Sequence, residues 1–183
     1  MNAPLPMRPF TRDEILKRTA FYAELTSFSS GFSDAAVPNT HRLMSNVMGY
    51  QLPPDGGRSP VGADAAKHAA IKVAEGFNLA YVRCKPGFGP LMHNHDTAET
   101  FIPMTGRWRL YFNEDETDHV DVGPWDVLSF PPQVARRFEN ITFAEPDTDH
   151  VLMVIVSGDA PRAETTERAK AIIAGYEKAA SEA

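Results

Sequence analysis

His93-Asn94-His95 sets two imidazoles two residues apart. Side chains alternate between faces along a strand, so both rings point the same way if this segment is extended. Glu99 follows four residues after His95 at the head of the next apolar run. A bend at Asp96-Thr97-Ala98 would put it on the neighbouring strand, aimed at the same point. Two neutral imidazoles and a carboxylate are a donor set for a divalent transition metal, Fe, Mn, Ni or Zn, and they leave coordination positions open for water or substrate. The plainer alternative is a polar strand face that holds no ion. His150, starting the last apolar run, is an outside candidate for a further ligand. His41, His68 and His119 have no partners at ligand spacing and are expected to be solvated or locally bonded. Cys84 is the sole cysteine, which rules out an intramolecular disulfide and a thiolate cluster. It reads as a small buried apolar residue.

These side chains need strands to hold them, and the region from Phe77 onward supplies the pattern. Short runs rich in β-branched and aromatic residues alternate with Gly, Pro and Asp turns: 79–83, 91–95, 100–104, 108–112, 127–130, 136–138 and 151–156. Such spacing indicates an all-β barrel or sandwich. Trp108, Leu110 and Phe112 alternate cleanly as core positions, Met92 should face away from the histidines, and Trp125 and Phe130 read as packing residues. Before this region, Thr11 and Glu14 form a capping-box pair that predicts a helix to about Leu25. A second helical piece is expected over Asn39–Met48, entered after Pro38. Pro53-Pro54-Asp55-Gly56-Gly57 breaks the chain, and 63–75 suits either a helix or a strand. After Gly158, Pro161 stands at a first helical position and 162–180 is rich in Ala, Glu and Lys, predicting a closing helix.

Gly87-x5-His93-x-His95-x3-Glu99-x6-Gly106 resembles the first signature motif of the cupin superfamily at every defined position. A partial copy of the second motif follows, from Gly123-Pro124-Trp125-Asp126 through Phe130 and Pro131 to Phe138 and Asn140. Trp125 and Gln133 stand where glycines are usual in it. Arg136 stands where the family places a third metal-binding histidine. The resemblance covers about residues 77–157. It implies an all-β cupin double-stranded β-helix, the jelly-roll barrel, at 71–158. A helical N-terminal arm at 1–70 would pack on it, and a C-terminal helix would occupy 159–183. It also implies a metal on His93, His95 and Glu99 and a small anionic or oxygen-rich substrate in the barrel mouth. Alternation puts Arg136, Phe138 and Asn140 on one face, which the family's histidine position makes the inner one. Arg136 is then either a clamp for a substrate anion, a catalytic role, or the internal partner of Glu99.

The fold does not choose among the dioxygenases, decarboxylases, isomerases, lyases and hydrolases built on it. Two His plus one carboxylate is the set that non-haem Fe(II) enzymes use, which leans the reading toward a dioxygenase. The alternative is a non-catalytic cupin that binds a small molecule with a degenerate or empty metal site. The net charge of −6 argues against a nucleic-acid partner. Apolar content of 43% with 23% charged residues fits a globular chain rather than a disordered one. The longest apolar run, Val151–Val156, is strand-sized, so no membrane partner is expected. Met1-Asn2-Ala3-Pro4 lacks the features of a signal peptide, and the cytoplasm is the expected location. An arm of this length can cover a barrel edge or exchange with a second copy, which predicts a homodimer.

Overall fold

The computed structural model of the chain describes residues 5–49, 51–60, 62 and 64–182, with 65 and 66 described by backbone alone. The terminus Met1-Asn2-Ala3-Pro4 and Ala63, which opens the ambiguous 63–75 stretch, lie outside these residues. Thr11 caps α1 (Arg12–Leu16) through the expected reciprocal box with Glu14. The helix stops there, well short of Leu25, because none of its residues is buried and nothing beyond the cap sustains it. A single 3-10 turn, Tyr22–Glu24, follows.

The arm then joins the barrel as strands. β1 (Ser27–Phe28) pairs with β2 (Leu43–Met48). The helix expected over Asn39–Met48 is therefore a correction. Asn39 adopts φ +62°, a left-handed conformation that no α-helix continues through, and Met44 and Ser45 lie buried against the next strand. Nothing in Leu-Met-Ser-Asn-Val-Met forbids a helix locally; sheet pairing overrides propensity here. The ambiguous stretch resolves both ways, into α2 (Ala65–His68) and a single parallel bridge from Ile71 to Met48.

Barrel strands follow, all but the one at Asp118–Val122 near the expected places. They are β3 (Phe77–Cys84), β4 (His93–His95), β5 (Glu99–Pro103), β6 (Trp108–Phe112), β7 (Asp118–Val122), β8 (Leu128–Phe130), β9 (Arg136–Asn140) and β10 (His150–Ser157). Two more elements close the chain, β11 (Ala163–Thr165) and α3 (Glu167–Ser181), capped by Thr166. The closing helix thus begins five residues later than expected, because Ala163–Thr165 pairs antiparallel with β4 instead.

The strands form two sheets, ordered β1-β2-β3-β10-β5-β8 and β11-β4-β9-β6-β7. Their facing surfaces alternate strictly, as along β3 and β10. Phe101 meets Phe130 and Phe138 edge-on, and Trp108 meets Phe138 the same way, with centroids 5.8–6.0 Å apart. Trp108, Leu110 and Leu152 are fully buried, and each such side chain contributes about 1.5–3 kcal/mol by leaving water. Phe112 is partly buried against the same core. Trp125 departs from expectation: it is 71% exposed, because it occupies the tip of the β7–β8 turn at φ +74° rather than a strand. Among the described residues no helix is long and apolar enough to cross a membrane.

Candidate metal centre

β4 and β5 meet across the bend at Asp96–Ala98, and this brings His93, His95 and Glu99 together. One ligand atom from each lies within 4.8 Å of the other two. The two rings face one another with centroids 5.1 Å apart. Two backbone features hold the bend and its strand. Gln133 donates its N–H to the His95 carbonyl at 2.9 Å. Gly106, the last residue of the first motif, sits at φ +72° where an added Cβ would lie 2.5 Å from the His150 ring. A glycine there answers both the backbone conformation and the close approach.

The imidazoles are oriented differently. His93 Nδ1 lies 2.8 Å from the Leu91 carbonyl, which only accepts, so Nδ1 carries the proton and Nε2 presents a lone pair. His95 is buried, and neither of its ring nitrogens has a hydrogen-bond partner. Its Nδ1 stands 3.5 Å from Glu99 Oε2 without bonding it. Burial pushes His93 down to about 4, with its bond to Leu91 opposing. Burial, then His93 and Arg136, push His95 well below the ordinary imidazole value. Both rings are therefore neutral at physiological pH, the state in which imidazole binds metals. Burial raises the Glu99 carboxyl, and the Arg136 guanidinium opposes that rise.

Arg136 is wholly buried on the inner face of β9 with Phe138 and Asn140, as alternation requires, and it is the register partner of His93. Its Nε donates to Glu99 Oε2 at 2.9 Å and its Nη1 to the Val134 carbonyl. Nη2 is buried without a partner. Of the two roles open to Arg136, the internal pair is the one formed, and one donor remains unused. His150 lies elsewhere, against Gly106, Thr142 and Glu145, outside the three-residue cluster. Its β-strand pairs with β3 at Cys84, so it is placed on a different sheet from His93 and His95. Cys84 is buried, and burial pushes its thiol up to about 12. His68 stacks on Phe28 and His119 leans on Tyr111.

Residues outside the motifs complete the site. Asp34, buried in the arm, accepts the Leu91 N–H at 3.0 Å and pairs with Arg42 Nη1 at 3.1 Å. Arg42 is itself buried and stacks over Phe32 at 4.1 Å. A chain of contacts thus runs from Arg42 through Asp34 and the backbone N–H and C=O of Leu91 to His93. In front of His93 lies a cavity of about 630 Å³, walled by the arm on one side and by β4 and β11 on the other. None of Asp34, Arg42, Arg58 or Thr165 carries a spacing that marks it; the folded arm brings the first three here and β11 the last.

No protein-family model matches the sequence, and no curated protein matches it. Likeness appears among solved structures. A sugar phosphate isomerase from a cupin superfamily, of Silicibacter pomeroyi, superposes at a TM-score of 0.51 with 16% identity, over 81% of this chain and 82% of that one. A DMSP lyase superposes at 0.53 with 11% identity, over 78% of this chain and 63% of that one. A structure from Acidithiobacillus ferrooxidans assigned as a sugar phosphate isomerase gives 0.40 with 19% identity, over 66% and 61%, so this chain spans about three fifths of its length. The chain shares its jelly-roll fold with the first two of these structures, the Silicibacter pomeroyi one being described as from a cupin superfamily. The two that superpose above 0.5 are named as an isomerase and a lyase, and at such identities the likeness is one of fold.

Proposed function

We propose that His93, His95 and Glu99 hold one divalent transition metal and that the chain is a metal-dependent enzyme acting on a small anionic or oxygen-rich substrate. The observation that carries this reading is the convergence of three donor atoms within 4.8 Å, with both nitrogens of buried His95 left unbonded. An unsatisfied buried polar atom costs about 1–3 kcal/mol, a cost that coordination would remove. The donor set suits Fe, Mn, Ni or Zn. When bound, the ion would polarise a substrate oxygen or, as iron, bind O₂.

The chain's own residues then act as follows. The Leu91 carbonyl fixes the His93 tautomer, so that Nε2 faces the ion. Arg136 fixes the Glu99 carboxylate and offers its unused Nη2 donor to an anionic substrate group. A dioxygenase is the finer form of this proposal, resting on the two-His, one-carboxylate set. Location in the cytoplasm and a homodimer built through the arm belong to the same proposal.

A second reading has an observation of its own. Arg136 bonds Glu99 at 2.9 Å, and a guanidinium beside the carboxylate opposes a cation, which favours a metal-free binding module. Elemental analysis of the purified protein separates the two. We expect about one equivalent of transition metal, lost when His93→Ala is combined with His95→Ala. Metal retained in full by that double variant overturns the ligand assignment, and metal-free wild-type protein that refuses added Mn²⁺, Fe²⁺, Ni²⁺ or Zn²⁺ favours the binding module.

A further inference from the structure

Apart from His93, no residue walling the cavity before the site is a defined position of either signature motif. We propose that this cavity takes a small organic monoanion, a carboxylate with a partly apolar body, seated on Arg58. The inference deepens the enzyme reading and rests on it only for the chemistry at His93.

The charges around the cavity set the sign and number of the ligand's charge. Arg42 is matched by Asp34, and deeper in the barrel Arg136 is matched by Glu99. Arg58 has no carboxylate within salt-bridge reach among the described residues, so one guanidinium on this wall is uncompensated. A guanidinium matches a carboxylate with two parallel N–H donors, whereas a neutral or cationic ligand leaves its charge unmatched.

Arg58 is also held where such a ligand would be useful. Its carbonyl accepts the Ala163 N–H at 2.8 Å, a bridge that fastens the arm to β11. Its Nη1 donates to Thr165 Oγ1 at 3.3 Å. Thr165 stands directly opposite His93 in the β11–β4 ladder, where facing Cβ atoms lie about 5 Å apart. A carboxylate on Arg58 and Thr165 therefore brings its adjoining carbons beside His93. Phe32, Leu52 and Leu91 supply apolar wall for the rest of the ligand, and about 630 Å³ is ample for a small molecule.

The test uses the full chain stripped of metal with a chelator, and two probes of equal shape, hexanoate and hexanamide, followed by ligand-observed NMR titration. We expect hexanoate to bind at least tenfold more tightly than the amide. Arg58→Gln should bring the two affinities to within about twofold of each other, with hexanoate losing more than hexanamide. Leu52→Trp, which fills the apolar wall, should weaken both probes at least tenfold. Equal affinities for the two probes, or a preference that survives Arg58→Gln, overturns the proposal. So does hexanoate binding that appears only after Zn²⁺ is added and is indifferent to Arg58. Because the titration is done on stripped protein, failure of the metal assignment leaves this result standing, and the two readings fail separately.

Discussion

Asp34 touches neither the three donor atoms nor the space between them, yet it decides where one of them points. Its carboxylate holds the Leu91 N–H, and the Leu91 carbonyl holds His93. Groups in this position typically set metal affinity by 10–100-fold. Asp34→Asn keeps the shape and loses the charge that matches Arg42, so we expect metal affinity to fall by about tenfold or more in a competition titration. Breaking one side of a buried pair also costs about 3–5 kcal/mol of stability, so the variant alone mixes two effects. Asp34→Leu with Arg42→Met separates them: an apolar pair of similar volume restores much of the stability but not the Leu91 contact. Unchanged affinity in both variants would show that Leu91 needs no help from the arm. The convergence of His93, His95 and Glu99 could be read from the sequence because it is local, two side chains on one strand and one just past a bend. Asp34 and Arg42 could not, since 57 residues separate Asp34 from Leu91 and only tertiary folding gives either residue its role.

Among the elements, the second motif shows how a barrel keeps its backbone after losing the residues that suit it. Trp125 and Gln133 occupy the usual glycine positions, and both adopt left-handed backbone at φ +74° and +67°. The turn geometry is retained because each N–H is committed, Trp125 to the Pro103 carbonyl and Gln133 to that of His95. A non-glycine residue in this region costs about 1–2 kcal/mol. Trp125→Gly and Gln133→Gly are each expected to stabilise the protein by about 1 kcal/mol, read as a higher midpoint in urea unfolding, after the flexible glycine has given some of that back through the unfolded chain. A lower midpoint for both would mean that these side chains stabilise the turns in another way. The strands missed in sequence are of two kinds. β7 (Asp-His-Val-Asp-Val) is a mostly exposed edge with no apolar alternation. β2 and β11 contain residues that helices accept equally well, and only pairing with β3 and β4 makes them strands.

For the molecule as a whole, the arm divides into two parts that differ in what they bury. From β1 onward it is integral: β1 and β2 extend one sheet, Asp34 and Arg42 brace the Leu91 backbone beside His93, and Arg58 ties to β11. Residues 5–25 are different. No residue of α1 is buried, and Leu5, Met7, Phe10, Ile15, Leu16, Phe21 and Tyr22 are all exposed. Their attachment to the barrel includes an ion pair between Arg18 and Glu75 and the edge-on contact of Tyr22 with Tyr81, contacts worth about 1 kcal/mol each. Deleting residues 1–25 should therefore lower the melting temperature by only a few degrees and leave metal content unchanged. Deleting 1–49 removes two strands and the Asp34–Arg42 pair and should abolish cooperative unfolding. Seven large apolar side chains stand exposed on this segment, and this is where the proposed homodimer would find its contact. On that proposal the full chain sediments at twice its 20.2 kDa mass and the chain lacking 1–25 at its own single mass. A full chain that sediments as a monomer removes the homodimer without touching the site, and a short deletion that unfolds the barrel would show that the first 25 residues hold more than their contacts indicate.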